Sequence, residues 1–381
     1  MVKNKYKAAV IGLGYAGALV DSMIPRYSFR NPYSHASTYS YIEETDLVAG
    51  ANRGEERRNE FSRRFGVKAY KDWRHMIEAE KPDIVSIAVP TPIKFEVIKF
   101  AVEFGVKGIY CEKTLATSLE EADLIADVLR ASHVAFNWGA ERRYHDGFVK
   151  LRGAISCGDI GVPQFAAVYG FTDLMKHGAH HFDLVSFLLG DPKPRWVDGT
   201  LVEHESSLDP GSSRQSPYLG LDLSKGIPLP LPTYDPSSNR FLPPPGRDIA
   251  EPMVQFARVG YVGGTEAIFQ PLVGRRDIEV IGDGGRAFVW GSSDSDFRVW
   301  SSSGGDSSFK ETSISPSGEG PSVCIVKEII REIETGQRTT GNIDVAMQVM
   351  ETQFGVAASH IKSGSRVLLP LEDRTLHIPS H

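Results

Sequence analysis

Residues 7–17 read Lys-Ala-Ala-Val-Ile-Gly-Leu-Gly-Tyr-Ala-Gly, a short apolar strand followed by a G-x-G-x-x-G loop. In such a loop Gly12 allows a tight turn, Gly14 lets the backbone approach a pyrophosphate, and Gly17 lets the next helix pack against the strand. That helix begins around Tyr15-Ala16, so that its N-terminus faces the phosphates. A glycine loop between a strand and a helix predicts a dinucleotide-binding site.

The residues that follow the second apolar strand, at 47–51, bear on the choice of dinucleotide. An acidic residue is common at this point and binds the ribose diol, but this chain has Asn52 followed by Arg53. An acid would repel a 2′-phosphate, whereas an arginine binds one. The pair therefore favours NADP, and NAD held by Asn52 beside a solvated Arg53 is the alternative.

The N-terminal part of the chain alternates between strands and helices. The patterns predict strands at 7–11, 47–51, 84–89, 108–111 and 134–137, and helices at 55–65, 73–80, 95–104 and 119–131. Strands without polar alternation that are joined by helices indicate a parallel sheet covered on both faces. We therefore expect an α/β fold that begins with a doubly wound Rossmann domain over residues 1–137.

The remainder, residues 138–381, has a different pattern. Helices are predicted at 146–156, 179–189, 323–335 and 343–362, and strands at 164–171, 254–262, 266–271, 277–282 and 286–291. Glycine turns separate several of these strands, which favours a mainly antiparallel sheet. Two segments are unusually long for connections: 18–34 in the first crossover, and a Pro- and Ser-rich insertion at 203–251. The insertion is either an ordered arm over the site or a neighbouring subunit, or a mobile surface loop.

Composition limits the class of protein. The chain has 381 residues, enough for two domains, and its net charge of −6 argues against a broad nucleic-acid surface. Its longest apolar runs are strand-sized, so no membrane span is expected. The three cysteines are far apart and form no disulfide or metal-binding pattern, which favours a cytoplasmic location.

Several further motifs resemble those of the glucose-fructose oxidoreductase / inositol dehydrogenase / MocA (Gfo/Idh/MocA) family. Ala88-Val89-Pro90-Thr91-Pro92 is similar to the family's loop beside the nicotinamide, and 110–114 to its Glu-Lys-Pro motif, with Thr114 in place of proline. Residues 178–184 resemble its Gly-x-His-x-x-Asp helix, and 364–371 its C-terminal ending. The resemblance implies a Rossmann domain followed by an α/β domain with an open antiparallel sheet, through which members often form homo-oligomers. A dimer or tetramer is therefore expected.

Lys113 is the expected catalytic lysine. It follows a predicted strand end, where open α/β sheets bind ligands, and by resemblance it is the family's catalytic lysine. An ammonium beside the reacting hydroxyl stabilises a developing alkoxide and fixes its position. Glu112 and Lys113 are also expected to contact the dinucleotide.

His180 is the expected general acid or base, because hydride transfer from a carbinol requires removal of the hydroxyl proton and imidazole titrates near neutral pH. The adjacent His181 is the alternative, and Asp183 either orients the imidazole or caps and packs. Both are predicted to contact substrate. His177 and His181 have helical spacing for two metal ligands, but no third ligand is evident, so no metal is predicted.

Lys176 departs from the family pattern, in which an aspartate four residues before the histidine takes part in catalysis. A second ammonium in the site would lower a pKa or hold an anionic group of the substrate; otherwise Lys176 points to solvent. By resemblance, Arg142 or Arg143 lines the cleft. With Lys113 these cations predict a negatively charged substrate.

These features predict an NAD(P)-dependent oxidoreductase that transfers hydride to or from a hydroxyl-bearing carbon of a sugar, sugar acid or polyol. One alternative is a redox-neutral glycosidase or lyase, in which tightly held NAD oxidises a ring carbon, permits elimination and is then reduced back. Such an enzyme would keep its cofactor through purification and form no net NADH. The other alternative, a non-catalytic nucleotide-dependent sensor, is disfavoured by the retention of Lys113 and His180.

Overall fold

The computed structural model describes residues 5–23, 32–170, 173–202, 232–243, 251–270, 277–290, 296–302 and 309–380. The chain divides into two compact units. The first comprises Met1–Ala116, Glu121–Asp146 and Gly318–Met347, and the second Thr117–Glu120, Gly147–Ser317 and Gln348–His381. The long first crossover and the Pro- and Ser-rich insertion lie partly outside the described residues, at 24–31, 203–231 and 244–250.

The strands of the described residues form a six-stranded sheet, a nine-stranded sheet and a two-stranded sheet. They are β1 (Tyr6–Ile11), β2 (Thr45–Ala51), β3 (Lys68–Tyr70), β4 (Ile84–Ile87), β5 (Gly108–Cys111), β6 (Ala135–Trp138), β7 (Pro163–Tyr169), β8 (Pro194–Leu201), β9 (Thr233–Asp235), β10 (Arg240–Leu242), β11 (Val254–Tyr261), β12 (Glu266–Gln270), β13 (Asp277–Gly282), β14 (Gly285–Val289), β15 (Phe297–Ser302), β16 (Phe309–Ile314) and β17 (Val367–Leu368).

The helices connect or flank these strands. A π-helical turn at Tyr15–Leu19 leads into α1 (Val20–Met23), followed by α2 (His35–Tyr41), α3 (Glu55–Phe65), α4 (Trp73–Glu80), α5 (Lys94–Glu103), α6 (Leu119–Arg130), α7 (Asp146–Ser156), α8 (Gly178–Leu188), α9 (Pro321–Thr335) and α10 (Ile343–Ile361). Short 3₁₀ turns lie at Thr91–Ile93 and Glu141–Tyr144. None of the described helices is both long and apolar enough to cross a membrane.

The first unit is built on a parallel sheet in the order β3-β2-β1-β4-β5-β6. Every residue of β4, β5 and β6 is buried, as expected for strands covered on both faces. The order is that of a doubly wound dinucleotide-binding sheet, in which it reverses between β1 and β4. The predicted fold class is confirmed.

The first unit extends beyond the single boundary at residue 137 that we expected from the sequence, because α9 packs on its sheet. Gly108 has no side chain, and a methyl group there would lie 2.6 Å from Ile329 of α9. Val326 and Ile329 belong to the same buried cluster as Val10 and Ile84. A helix far along the chain therefore completes the core of the N-terminal sheet.

The second unit contains a nine-stranded sheet in the order β16-β15-β14-β13-β7-β12-β11-β8-β17. Its described pairings are antiparallel except for the parallel pair of β7 and β12, which agrees with the expected mainly antiparallel sheet. Phe182 of α8 packs on Phe269 of this sheet, with ring centroids 4.3 Å apart. Val356 of α10 lies over Gly199.

The sequence patterns did not predict some of the observed strands and helices. Strand β3 is only three residues long, β8 contains Pro and Gly, and β15 and β16 contain polar and charged residues beside their few apolar ones. Helix α2 is poor in helix-forming residues; it is capped by Ser34, which accepts from the Ser37 N–H, and buries Ala36 and Tyr39. Within the predicted insertion, β9 and β10 form an antiparallel hairpin.

Candidate active site

The glycine loop after β1 has the geometry that its sequence predicts. Gly12 has a φ of +93°, and a methyl group on it would lie 2.1 Å from the Ala88 carbonyl oxygen. A methyl group on Gly17 would lie 1.9 Å from the Gly12 carbonyl oxygen. Among the described residues, the only atom that a methyl group on Gly14 would meet within 4 Å is the tip of the Arg57 side chain, at 3.2 Å. The backbone at Gly14 is therefore open to the close approach of a phosphate, so the loop fits a dinucleotide.

Asn52 links the end of β2 to this loop. Its Oδ1 atom accepts a hydrogen bond from the Leu13 N–H at 3.2 Å, and Nδ2 donates to the Gly54 carbonyl at 3.4 Å. Arg53 is exposed. The guanidinium of Arg58 donates to the Asn52 and Arg53 carbonyls and so fixes the strand end.

The loops that follow β4 and β5 are joined to each other. Pro90 and Pro92 are exposed, whereas Thr91 is buried and its Oγ1 atom donates to the Thr114 carbonyl at 3.4 Å. The Lys94 ammonium, also buried, donates to the Glu112 carbonyl at 2.6 Å and to the Thr114 carbonyl at 2.5 Å. The half-buried Lys113 therefore lies between two tethered carbonyls.

The Glu112 side chain is held by a chain of hydrogen bonds. His35 Nε2 lies 3.0 Å from Glu112 Oε1, and His35 Nδ1 lies 2.8 Å from Ser86 Oγ, which in turn contacts the Tyr39 hydroxyl. Burial alone would raise the pKa of Glu112, but the hydrogen bond from His35 and the nearby positive charges hold it below its usual value. An ionised carboxylate only accepts, so His35 Nε2 carries a hydrogen.

A second carboxyl lies at the same edge of the sheet, after β6. Burial and the neighbouring Glu112 carboxylate raise the pKa of Glu141 to about 7, against the opposing effect of Arg142. The Tyr33 hydroxyl donates to Glu141 Oε1 at 3.4 Å. Glu112 and Glu141 thus form a pair of carboxyl groups whose pKa values are driven apart, which is typical of catalytic sites.

The two arginines after β6 differ in their surroundings. Arg143 is buried and its guanidinium donates to the Thr340 carbonyl at 2.9 Å, which ties the turn to the segment before α10. Arg142 is half-exposed and lies close enough to Glu141 to affect its pKa. Arg142 is therefore the better placed of the two to meet a ligand.

In the second unit, Asp173 organises the start of α8. Its Oδ1 atom accepts from the His177 backbone N–H at 2.6 Å, and its Oδ2 atom contacts His177 Nδ1. The Asp173 backbone carbonyl accepts from the Gly178 N–H at 3.0 Å. In the following first turn, His180 is 6% exposed and His181 is 1% exposed, and Asp183 is fully buried.

Lys176 is exposed, but its backbone is fixed by a residue from the end of the insertion. Its N–H donates to Glu251 Oε2 at 2.9 Å, and the Ser380 hydroxyl donates to Glu251 Oε1 at 2.8 Å. Burial and the adjacent Asp173 carboxylate raise the pKa of Glu251 to about 8. Hydrogen bonds from His177 hold the pKa of Asp173 well below its usual value despite its burial.

Sequence reasoning missed His35, Lys94, Glu141 and Glu251 as members of these clusters. Lys94 carried a signal, because it shares a helix face with the buried residues Val97, Ile98 and Ala101. Among the described residues, no three His, Cys, Asp or Glu side chains are grouped so that they could hold a metal ion.

Comparison with known proteins extends these observations. The sequence profile of the Gfo/Idh/MocA family, described as an oxidoreductase family with an NAD-binding Rossmann fold, matches residues 6–139. Myo-inositol 2-dehydrogenase of Thermotoga maritima is 27% identical over 52% of this chain and 60% of its own length. The scyllo-inositol 2-dehydrogenase of Bacillus subtilis is 26% identical over 50% of this chain and 55% of its own length. The chain thus spans less than two thirds of these curated relatives.

Solved structures match over a longer part of the chain. A levoglucosan dehydrogenase in complex with NADH and levoglucosan has a TM-score of 0.72 at 16% identity and covers 97% of this chain and 100% of its own. An oxidoreductase from Desulfitobacterium hafniense has a TM-score of 0.70 at 17% identity, with 96% and 98% covered. At this identity the likeness concerns the fold. The family profile and the inositol dehydrogenase relatives confirm the resemblance of the N-terminal part of the chain, residues 6–139, to the Gfo/Idh/MocA oxidoreductase family.

Proposed function

We propose that the chain is an NAD(P)-dependent oxidoreductase that transfers a hydride to or from a hydroxyl-bearing carbon of a sugar, sugar acid or polyol. The observation that carries the proposal is the position of Lys113 at the carboxyl end of β5, on the same sheet edge as the Gly12–Gly17 loop. In a doubly wound sheet this edge binds the dinucleotide. Relatives named as inositol dehydrogenases support the substrate class.

A bound nicotinamide dinucleotide would supply the hydride acceptor or donor. Lys113 would hold the reacting hydroxyl and stabilise the negative charge that develops on its oxygen. His180, in the first turn of α8, would accept or return the hydroxyl proton. The Asp173–His177 contact would then serve to fix the start of the helix that carries His180, with Arg142 and Lys176 available for polar groups of the substrate.

The cofactor preference that we propose is for NADP. Arg53 is exposed at the end of β2, and the guanidinium of Arg57 extends over Gly14 from the first turn of α3. The sequence-based case for NADP rested on Asn52 in place of an acid and on Arg53, and Arg57 adds a second cation near the glycine loop. Guanidinium groups bind phosphates through paired, charge-assisted hydrogen bonds.

The test is to identify the cofactor that copurifies and then to assay a panel of sugars, sugar acids and polyols with both dinucleotides. The mass and redox state of the bound cofactor are measured first, and products are analysed alongside NAD(P)H absorbance. Substrate-dependent formation of NAD(P)H supports the proposal. Glycoside cleavage with retained cofactor and no net NADH would replace it with the redox-neutral mechanism, and binding without any turnover of the panel would favour a sensor.

We also propose that the open face of the nine-stranded sheet forms a homo-oligomer. The aligned residues Phe165 and Ile281 place partly exposed apolar groups at its centre, and the Trp196 ring is contacted by the guanidinium groups of Arg258 and Arg366. Aromatic and arginine side chains are enriched at protein interfaces. Light scattering should give a multimer for the wild type and a monomer for Ile281→Asp; a monomeric wild type would contradict this.

A further inference from the structure

Lys94 occupies a position that is unfavourable for a cation. It is fully buried, and it is the first residue of α5, where the positive end of the helix dipole disfavours an ammonium. Burial accordingly lowers the pKa of Lys94 to about 8. Among the described residues, the acceptors of its hydrogen bonds are two backbone carbonyls, those of Glu112 and Thr114, rather than a carboxylate.

These two carbonyls flank Lys113. Strand β5 ends at Cys111, so the Glu112 and Thr114 carbonyls lie beyond its sheet pairing. Fixing residues on both sides of Lys113 restricts the backbone from which its amine extends. The Thr91 hydroxyl donates a second hydrogen bond to the Thr114 carbonyl, so the loops after β4 and β5 are held together.

We propose that Lys94 is a positioning residue for Lys113: its buried ammonium holds the carbonyls on either side of Lys113 and thereby fixes the place of the Lys113 amine. The expected effect of Lys94 on catalysis rests on the proposed function, in which Lys113 is the catalytic lysine. Its structural part, the restraint of Lys113, is independent of any substrate. A displacement of about 1 Å in a catalytic group is enough to cost about a hundredfold in rate.

The test compares Lys94→Met, which keeps an unbranched apolar side chain, one atom shorter, but removes its donors, with Lys99→Met as the matched control. Lys99 is on the same helix and is exposed. Competitive acetylation followed by peptide mass spectrometry measures the reactivity of Lys113 in each folded protein, without any substrate. We expect Lys113 to react at least about threefold faster in Lys94→Met, because its loop is released, and at the wild-type rate in Lys99→Met.

Steady-state kinetics give the second readout. In Lys94→Met we expect kcat to fall about tenfold or more while KM for the dinucleotide changes less, because positioning rather than binding is lost. If Lys94→Met does not fold, Lys94→Gln is used, which keeps a polar, uncharged amide but is one atom shorter than lysine and cannot span both carbonyls; it should also raise the reactivity of Lys113. Unchanged reactivity of Lys113 in a folded variant would overturn the proposal.

Lys113→Ala, assayed in parallel, separates the two ideas. If Lys113→Ala is inactive and Lys94→Met has wild-type kcat and wild-type labelling of Lys113, the positioning role of Lys94 is wrong and the proposed function stands. If Lys113→Ala is as active as the wild type, the proposed function of Lys113 fails. The labelling result still decides whether Lys94 restrains it.

Discussion

The carboxylate of Asp173 binds His177 twice, through the backbone N–H at 2.6 Å and through the ring Nδ1 atom. This double contact fixes the residue immediately before α8, and the helix then carries His180 in its first turn. Glu251, from the end of the insertion, contributes to the same cluster and binds the Lys176 N–H. Two carboxyl groups in one buried cluster favour a single shared proton.

The first prediction concerns the pH dependence of stability. The pKa of Glu251 is about 8 in the folded chain, against an ordinary value of 4.5. Folding therefore takes up a proton between these values, so this carboxyl stabilises the fold at low pH and its contribution is lost as the pH rises through about 8. The amide in Glu251→Gln does not titrate. Between about pH 5 and 8, the free energy of unfolding of this variant should therefore decrease by only about half as much as that of the wild type.

Urea denaturation at several pH values measures this effect, and Glu266→Gln, at a partly exposed position on the sheet, is the control. The control should keep the wild-type pH dependence. If Glu251→Gln keeps it as well, Glu251 does not hold the proton of this cluster.

The second prediction concerns Lys113. Lys113→Ala should bind the dinucleotide nearly as well as the wild type but lose about two orders of magnitude or more in turnover, since a positioned catalytic group is removed. Calorimetric titration gives the affinity and steady-state kinetics give the turnover. Near-wild-type turnover on a substrate that the wild type oxidises would remove Lys113 from the mechanism.

Much of this site could be predicted from the sequence because its elements are local. The strand 108–111 and the helices 55–65, 73–80 and 146–156 have the observed bounds, since their apolar patterns and caps lie within a few neighbouring residues. The contacts of His35 with Glu112 and of Glu251 with the Lys176 loop join residues more than 70 positions apart. Such pairings depend on tertiary packing, which a single sequence does not encode in any local pattern.

The third prediction separates the histidines at the start of α8. His180→Asn should reduce kcat by about two orders of magnitude, as expected for loss of a general acid or base. His177→Asn should mainly lower the melting temperature, because it removes the contact between the ring and Asp173 that fixes the helix start. The two variants are compared by thermal unfolding and by kcat on one substrate, and the opposite pattern would assign the proton transfer to His177.

The fourth prediction concerns dinucleotide choice. Arg57→Ala should weaken NADP binding by about tenfold, the value of one charge-assisted phosphate contact, and leave NAD binding unchanged. Arg63→Ala is the matched control, because Arg63 is on the same helix, is exposed and pairs with Glu60. Titration of both dinucleotides into cofactor-free protein measures the affinities. Wild-type protein that binds NAD at least about tenfold more tightly than NADP would show that the arginines do not select the phosphate.

The fifth prediction is that the substrate is an anion held by Lys176. The Lys176 backbone is fixed by Glu251 while its side chain is exposed, and in the described part of the chain its ammonium has no carboxylate partner. A carboxylate, sulfonate or phosphate on the substrate would provide one through a charge-assisted hydrogen bond. Lys176→Gln should therefore lower kcat/KM for an acidic sugar by about tenfold and leave its neutral counterpart unchanged.

The measurement is a set of matched neutral and acidic sugars or glycosides, assayed at low and high salt with analysis of products. High salt should weaken the preference for the anion, because it screens an exposed charge. Lys362→Gln, at an exposed lysine after α10, is the control and should behave as the wild type. If the wild type turns over neutral sugars as efficiently as acidic ones and Lys176→Gln keeps that ratio, the Lys176 side chain is only solvated and the substrate is not selected by its charge.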